Sequence, residues 1–219
     1  MNAIRAMLFD LDGTLLDSAP DLVGSLNQVR GLENLPPLDV AEMSRFASHG
    51  AVGLLKAGMP PADDATFESW RQEFLRHYAQ NSFRDSFLYD GVKEMLEFLQ
   101  ISGIPWGIVT NKIEALTLPI IDAANLRVSV SCVVCGDTLS KNKPDPAPVS
   151  LACGILEVLP QNTLFVGDDI RDLEAGNGAG TQLAAVHYGY GSYEFNDELV
   201  RGSYQIHHPA DLIELVRQG

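Results

Sequence analysis

The segment Ala6–Ser18 constrains the fold more than any other part of the chain. It begins with the apolar run AMLF and then brings in Asp10, Asp12 and a glycine. A short apolar run that stops near a glycine is typical of a buried strand in a parallel sheet, and we predict this strand over 4–9. Asp10 and Asp12 then follow its carboxyl end, which is where ligands bind in open α/β sheets.

These two carboxylates point to chemistry. Residues two apart on a strand face the same way, so Asp10 and Asp12 can share one crevice. Close carboxylates repel each other unless a cation lies between them or one of them keeps its proton. The pair therefore predicts a hard-metal site with oxygen ligands, or a nucleophile beside a general acid. The alternative is an acidic strand end that faces water, because Asp is common in turns.

The remaining chain predicts a two-part organisation. Residues 16–83 carry helical patterns broken by Pro-Pro turns and no convincing strand, which indicates a small all-helical insert. Strand patterns recur at 104–109, 128–134, 163–166 and 182–186. Helical patterns separate these strands, so we predict an α/β fold with a doubly wound parallel sheet built from residues 1–15 and 84–219.

The composition argues against several classes of protein. The net charge is −14, which disfavours a nucleic-acid partner and binding to an anionic membrane. No apolar run approaches the roughly 20 residues that span a bilayer. The sequence shows no signal-peptide pattern, so we expect a cytoplasmic protein. Cys132, Cys135 and Cys153 fit buried, reduced thiols, because the C-x-x-C pair lies inside an apolar run.

Polar residues also follow the later strands. They are Thr110 and Asn111 after the second strand, Lys141 and Lys143 in the loop after the third, and Asp168, Asp169 and Asp172 after the fourth. Each has an ordinary explanation when taken alone, as a turn, a surface charge or a helix cap. Their joint placement on the carboxyl edge of one sheet favours a functional site.

The residue types at this edge suit phosphoryl transfer. Asp10 is a candidate nucleophile, and Asp12 is a candidate acid that protonates a leaving alkoxide and then acts as the base that activates water. Asp168 is a second acidic ligand that can share a Mg²⁺ ion with Asp10. The candidates for binding the phosphoryl oxygens are Thr110, Asn111 and Lys143.

At these positions the sequence resembles the haloacid dehalogenase superfamily. The four motifs are FDLDGTLLDS at 9–18, Thr110-Asn111, KPDP at 143–146 and GDDIRD at 167–172. The helical insert is similar to the helical cap of that family, which places a cap domain at 16–83. The YGYG loop at 188–191 is similar to the phosphoglycolate phosphatase branch of the family.

The resemblance implies a Mg²⁺-dependent phosphatase that forms a phosphoaspartate on Asp10, with Asp12 as the acid and base. It implies that the metal is held by Asp10, the backbone carbonyl of Asp12, and Asp168. Thr14, Asp169 and Asp172 would contact these ligands without binding the metal themselves. The division of roles among Asp168, Asp169 and Asp172 stays open. Thr110, Asn111 and Lys143 would hold the phosphate. The candidate substrate contacts in the cap are Arg45, His49 and Lys56.

Several functions remain open from the sequence. We expect a monomer or homodimer that acts on a small phosphorylated metabolite, with phosphoglycolate as the first candidate and N-acetylmuramate 6-phosphate as its rival. A β-phosphoglucomutase-like phosphomutase would share every catalytic residue. A dehalogenase is disfavoured because it has no use for Asp12 and Asp168. A receiver-type signalling domain would be shorter and lack the insert, and an inactive binding protein would have lost catalytic positions.

Overall fold

The structure, a computed structural model, describes residues 3–192, 195 and 198–218. The chain divides into two compact units. The core unit comprises Met1–Leu16 and Leu88–Gly219, and the helical unit comprises Asp17–Phe87. The sequence analysis sets the corresponding insert at 16–83. Among the described residues, no helix has the length and apolarity needed to cross a membrane.

Eight strands occur in the described residues. They are β1 (Ala6–Phe9), β2 (Leu16–Asp17), β3 (Phe87–Leu88), β4 (Trp106–Val109), β5 (Cys132–Val134), β6 (Thr163–Gly167), β7 (Gln182–Val186) and β8 (Tyr204–Ile206). Six of them form one sheet in the order β5-β4-β1-β6-β7-β8, and every neighbouring pair is parallel. The short strands β2 and β3 pair separately.

The helices connect these strands. They are α1 (Ala19–Leu32), α2 (Val40–Met43), α3 (Gly50–Gly58), α4 (Asp64–Asn81), α5 (Val92–Ile101), α6 (Glu114–Ala123), α7 (Ala147–Ile155), α8 (Ile170–Ala179), α9 (Glu198–Gly202) and α10 (Ala210–Gln218). In the core unit, α7 packs against β4 and β5, α8 packs against β6 and β7, and α5 packs against α10. Parallel strands joined by helices confirm the predicted doubly wound fold.

Strand β1 lies at the centre of the sheet. Phe9 pairs with Ile108 of β4 on one side and with Val166 of β6 on the other. Every residue of β1, β4 and β6 is buried, as expected for strands covered on both faces. The strand order reverses at β1, because the chain continues from it to β4 and β5 on one side and later to β6, β7 and β8 on the other. Such a switch point places a crevice at the carboxyl ends of β1 and its neighbours.

The helical unit has its own buried interior. Helix α1 packs against α3 and α4, and Leu26, Leu54 and Phe74 are fully buried there. Asp21, which is 5% exposed, accepts backbone hydrogen bonds from the N–H groups of residues 84–86. Arg30 donates to the carbonyl of Gly58 and, at 2.7 Å, to that of Pro36. These buried polar contacts satisfy backbone groups at helix ends and in the segments that connect the helices.

Several elements differ from the sequence prediction, among them the two-residue strand β2 (Leu16–Asp17), which lies inside the insert where no strand was predicted. The strand predicted over 128–134 begins only at Cys132, because Ser129 and Val130 donate to the carbonyl of Leu126 in a turn that leaves Val128 94% exposed. The edge strand β8 has only three residues and no clear pattern, so it is absent from the prediction. The helical pattern between the two Pro-Pro turns of the insert is divided into α2, a 3₁₀ segment at Ser44–His49 and α3.

Candidate active site

The predicted site residues of the core unit lie where the central strands end. The Asp10 N–H continues the sheet by donating to the Val166 carbonyl at 2.9 Å, and the Thr110 N–H donates to the Val134 carbonyl at 2.9 Å. Asp10 is 9% exposed and Thr110 is 4% exposed. The sheet therefore holds both backbones in fixed positions and presents their side chains at one edge.

A tight turn follows Asp10. Gly13 has φ +88°, a left-handed conformation that favours glycine. Its N–H donates to the Leu16 carbonyl at 2.8 Å, and the Leu16 N–H donates to the Leu11 carbonyl at 2.9 Å. A Cβ at position 13 would overlap the carboxylate of Asp168. The glycine thus allows the turn that carries Asp12 to approach the end of β6.

Lys143 is the buried cation of the site. Its ammonium Nζ lies 2.8 Å from Asp10 Oδ1 and 2.6 Å from Asp172 Oδ1, and its side chain is 3% exposed. Burial lowers the pKa of Lys143, but the charges of Asp10 and Asp172 outweigh it and hold the pKa above its ordinary value. The ammonium is therefore charged at neutral pH and binds two carboxylates at once.

Asp168 is fixed from two sides. Its Oδ1 accepts the Thr14 hydroxyl at 3.2 Å, and its Oδ2 accepts the Gly191 N–H at 2.8 Å. A Cβ at Gly189 would overlap both the Gly13 carbonyl oxygen and the Asp168 side chain. The YGYG loop therefore approaches Asp168 with backbone alone, which explains the glycines in this loop.

Three carboxylates meet at this edge. Oxygen atoms of Asp10, Asp168 and Asp172 all lie within 4.8 Å of one another. Burial raises the pKa of Asp168 well above its ordinary value, and the charges of Asp10 and Asp172 raise it further. Burial also raises the pKa of Asp10, and it raises the pKa of Asp172 to about 7. The positive charge of Lys143 opposes both shifts. The three acidic groups thus repel one another although Lys143 binds two of them, so the cluster favours either a bound proton or a bound cation.

Asp169 and Asp172 organise the start of helix α8. Asp169 is the N-cap and its Oδ1 accepts the Arg171 N–H at 2.9 Å, while Asp172 Oδ2 accepts the Asp169 N–H at 3.2 Å. The Arg171 guanidinium binds Asp169 Oδ2 at 2.6 Å. Burial raises the pKa of Asp169, but the hydrogen bond and charge of Arg171 outweigh it, so the pKa lies below its ordinary value. Asp169 therefore acts as a cap, and Asp172 links this cap to Lys143.

Thr110 and Asn111 sit between β4 and the Lys143 loop. The Thr110 hydroxyl oxygen accepts the Lys112 N–H at 3.1 Å and retains its own hydrogen for donation. The Asn111 side chain brackets the Lys143 backbone, donating to its carbonyl at 2.9 Å and accepting from its N–H at 3.0 Å. Asn111 therefore docks the loop that carries Lys143, a role that the sequence analysis did not suggest.

Lys112 is a site residue that the sequence analysis missed. Its Nζ lies 2.6 Å from Asp12 Oδ1, and the two side chains are 8% and 18% exposed. The available signal was its position directly after Thr110-Asn111, at the carboxyl end of a predicted central strand.

The other predicted residues lie in different surroundings. Lys141 is 67% exposed and pairs with Asp145 at 2.9 Å. In the helical unit, Arg45 and His49 are exposed residues of the 3₁₀ segment, and Lys56 is exposed on α3. Arg45 lies over the Phe46 ring at 4.8 Å, and the Ser48 hydroxyl lies 3.3 Å from His49 Nδ1. Substrate contact by Arg45 and His49 remains a prediction.

Comparison with known proteins decides the family. The family described as haloacid dehalogenase-like hydrolase matches residues 7–186, which include all four motifs of the site. The chain belongs to this family. The predictions of the superfamily and its fold are therefore confirmed.

Named relatives of this hydrolase are phosphatases. An N-acetylmuramic acid 6-phosphate phosphatase from Pseudomonas aeruginosa is 38% identical over 97% of this chain and 95% of its own length. A phosphoglycolate phosphatase from Xylella fastidiosa is 36% identical over 88% of this chain and 84% of its own. A crystal structure of a predicted phosphoglycolate phosphatase from Haemophilus somnus superimposes with a TM-score of 0.86 at 30% identity, covering 98% of this chain and 99% of that one. The expectation of a phosphatase-type enzyme is confirmed by these relatives.

Proposed function

We propose that this hydrolase is a Mg²⁺-dependent phosphatase that cleaves a small phosphomonoester through a phosphoaspartate on Asp10. The observation that carries the proposal is the contact of Lys143 with Asp10 at 2.8 Å, inside a buried group of three carboxylates. This arrangement brings together a nucleophile, a cation and acidic oxygen ligands, which phosphoryl transfer needs for positioning and charge neutralisation.

The donor set fits Mg²⁺. All three clustered groups are carboxylates, the ligands that hard cations prefer, and their mutual repulsion leaves a demand for positive charge. Asp172 already uses Oδ1 for Lys143 and Oδ2 for the Asp169 N–H. We therefore assign the metal to Asp10 and Asp168, with the Asp12 carbonyl as a third ligand, and keep Asp172 as the partner that holds Lys143. When bound, Mg²⁺ would neutralise charge on the phosphate and the carboxylates.

The protein side chains divide the chemistry into two steps. In the first, an Asp10 oxygen attacks phosphorus, the ester P–O bond breaks, and Asp12 gives its proton to the departing alkoxide. In the second, Asp12 takes a proton from water, the water oxygen attacks phosphorus, and the bond to Asp10 breaks to release inorganic phosphate. We assign Lys143, the Thr110 hydroxyl and the remaining amide hydrogen of Asn111 to the phosphoryl oxygens as their donors.

The substrate proposal rests on the relatives. At similar identity, the N-acetylmuramic acid 6-phosphate phosphatase matches 97% of the chain, whereas the phosphoglycolate phosphatase matches 88%. We therefore place N-acetylmuramic acid 6-phosphate first and phosphoglycolate second. A phosphomutase would use the same core residues and differ in where the phosphoryl group goes. Release of inorganic phosphate in equal amount to the dephosphorylated product supports the phosphatase, whereas an isomeric sugar phosphate would contradict it.

Activity is expected to require Mg²⁺ and to be inhibited by Ca²⁺. Ca²⁺ takes more ligands at longer distances than Mg²⁺, which would misplace the attacking carboxylate of Asp10. The measurement is phosphate release by protein treated with a chelator, then supplied with Mg²⁺, Ca²⁺ or both. Full activity after exhaustive chelation would contradict the metal assignment.

N-acetylmuramic acid 6-phosphate is expected to exceed phosphoglycolate in kcat/KM by about tenfold or more, which is about 1.4 kcal/mol of transition-state preference. A sugar phosphate offers hydroxyl and acetamido groups for hydrogen bonding, which a two-carbon acid lacks. The measurement compares both esters with Mg²⁺ present under identical conditions. The reverse order would transfer the assignment to phosphoglycolate and leave the phosphatase mechanism standing.

A further inference from the structure

Lys112 holds one oxygen of the proposed acid Asp12. Its ammonium Nζ lies 2.6 Å from Asp12 Oδ1, with the lysine side chain 8% exposed and that of the aspartate 18% exposed. A charge-assisted hydrogen bond of this length is stronger than a neutral one. Because both side chains are largely shielded from water, solvent and salt weaken this ion pair less than they weaken an ion pair at the surface. The contact therefore restrains the orientation of the Asp12 carboxylate.

The backbone of Lys112 is itself anchored. Its N–H donates to the Thr110 hydroxyl oxygen at 3.1 Å. Its carbonyl accepts the Gly136 N–H at 2.9 Å and the Thr117 hydroxyl at 3.3 Å. A Cβ at Gly136 would overlap the backbone of Asn111, so glycine permits this close approach. The lysine side chain thus extends from a fixed point on the same loop that carries the proposed phosphate ligand Thr110.

We infer that Lys112 is a positioning residue for Asp12, because its contact with Oδ1 fixes the orientation of that carboxyl group. The inference rests on the proposed function, in which Asp12 is the acid and then the base. As the bond from Asp10 to phosphorus forms and the ester P–O bond breaks, a proton passes from Asp12 to the ester oxygen. In the second step Asp12 receives a proton from the attacking water.

The inference predicts a dependence on the leaving group. A sugar alkoxide is strongly basic and needs the proton from Asp12, whereas p-nitrophenolate leaves with little help. Since kcat/KM reports the steps up to departure of the leaving group, it isolates the acid role of Asp12. A general change in substrate attraction or protein stability would affect both esters alike. The loss of kcat/KM on the sugar phosphate, divided by the loss on p-nitrophenyl phosphate, therefore distinguishes positioning of the acid from a structural role of Lys112.

The test compares Lys112→Met with Lys141→Met on N-acetylmuramic acid 6-phosphate and p-nitrophenyl phosphate. Lys112→Met removes the charge and keeps the side-chain volume, and it is expected to lower kcat/KM about 100-fold for the sugar phosphate and less than about threefold for the aryl ester. Lys141→Met, which removes an exposed lysine of the neighbouring loop, is expected to leave both values unchanged. Lys112→Arg, which keeps a donor and the charge, is expected to recover part of the loss on the sugar phosphate.

A double-mutant cycle gives a second measure of the coupling between Lys112 and Asp12. In an Asp12→Asn background, adding Lys112→Met is expected to change kcat/KM for the sugar phosphate by less than about twofold, because the two residues act as a unit. Equal losses on both esters in Lys112→Met and Lys112→Arg, or additive losses in the cycle, would overturn the positioning role. Failure of the wild-type protein to hydrolyse either ester would instead overturn the proposed function.

Discussion

Asp10→Asn is expected to abolish phosphomonoester hydrolysis while leaving the protein folded. An amide cannot supply the attacking carboxylate oxygen, so the covalent route is lost, with an expected fall in kcat of about 10⁴-fold or more. The side chain keeps its size, and its carbonyl oxygen can still accept the hydrogen bond from Lys143. The substitution also removes one charge from a cluster whose members raise one another's pKa, as for Asp168 beside Asp10 and Asp172. The metal-free variant should therefore unfold at a temperature equal to or above that of the wild type.

The measurement is phosphate release with Mg²⁺ present, beside a thermal unfolding curve of the same preparation. The matched control is Asp122→Asn, which neutralises an exposed aspartate paired with Arg127 and should retain full activity. Substantial turnover by folded Asp10→Asn protein would contradict the nucleophile assignment.

Lys143→Ala is expected to cost far more than Lys141→Ala in both activity and stability. Lys143 is buried and binds Asp10 at 2.8 Å and Asp172 at 2.6 Å, whereas Lys141 is 67% exposed and pairs with Asp145. Removing one partner of a buried ion pair leaves uncompensated charge, which costs about 3–5 kcal/mol of unfolding free energy in typical cases. The same change removes a cation that positions the nucleophile and neutralises phosphate, so kcat/KM should fall about 100-fold or more.

The two effects are separated by measuring activity at a temperature where circular dichroism shows both variants folded. Denaturant unfolding without metal then gives the stability difference. Lys143→Met serves as a second variant, because it fills the space of the side chain while removing the charge. Equal losses in the Lys141 and Lys143 variants would show that the assignment within this loop is wrong.

The sequence by itself determines the sheet and the edge at which the site lies. The apolar run of β1 followed by Asp10 and Asp12 predicts a central strand with its ligands at the carboxyl end. In the same manner, Thr110 and Asp168 directly follow the last residues of β4 and β6. These predictions succeed because strand periodicity is local, and because the carboxyl ends of parallel strands must share one edge.

Only the tertiary structure decides which side chains meet at that edge. Lys112 and Asp12 lie 100 residues apart, and no local pattern reports that the Lys112 ammonium reaches Oδ1 of Asp12. The sequence already favours Lys143 over Lys141, and the structure adds how this lysine is held: the Asn111 side chain hydrogen-bonds both backbone groups of Lys143, whereas Lys141 is 67% exposed. Side-chain direction and charge pairing arise from packing between distant segments, so they appear only when the sheet brings those segments together.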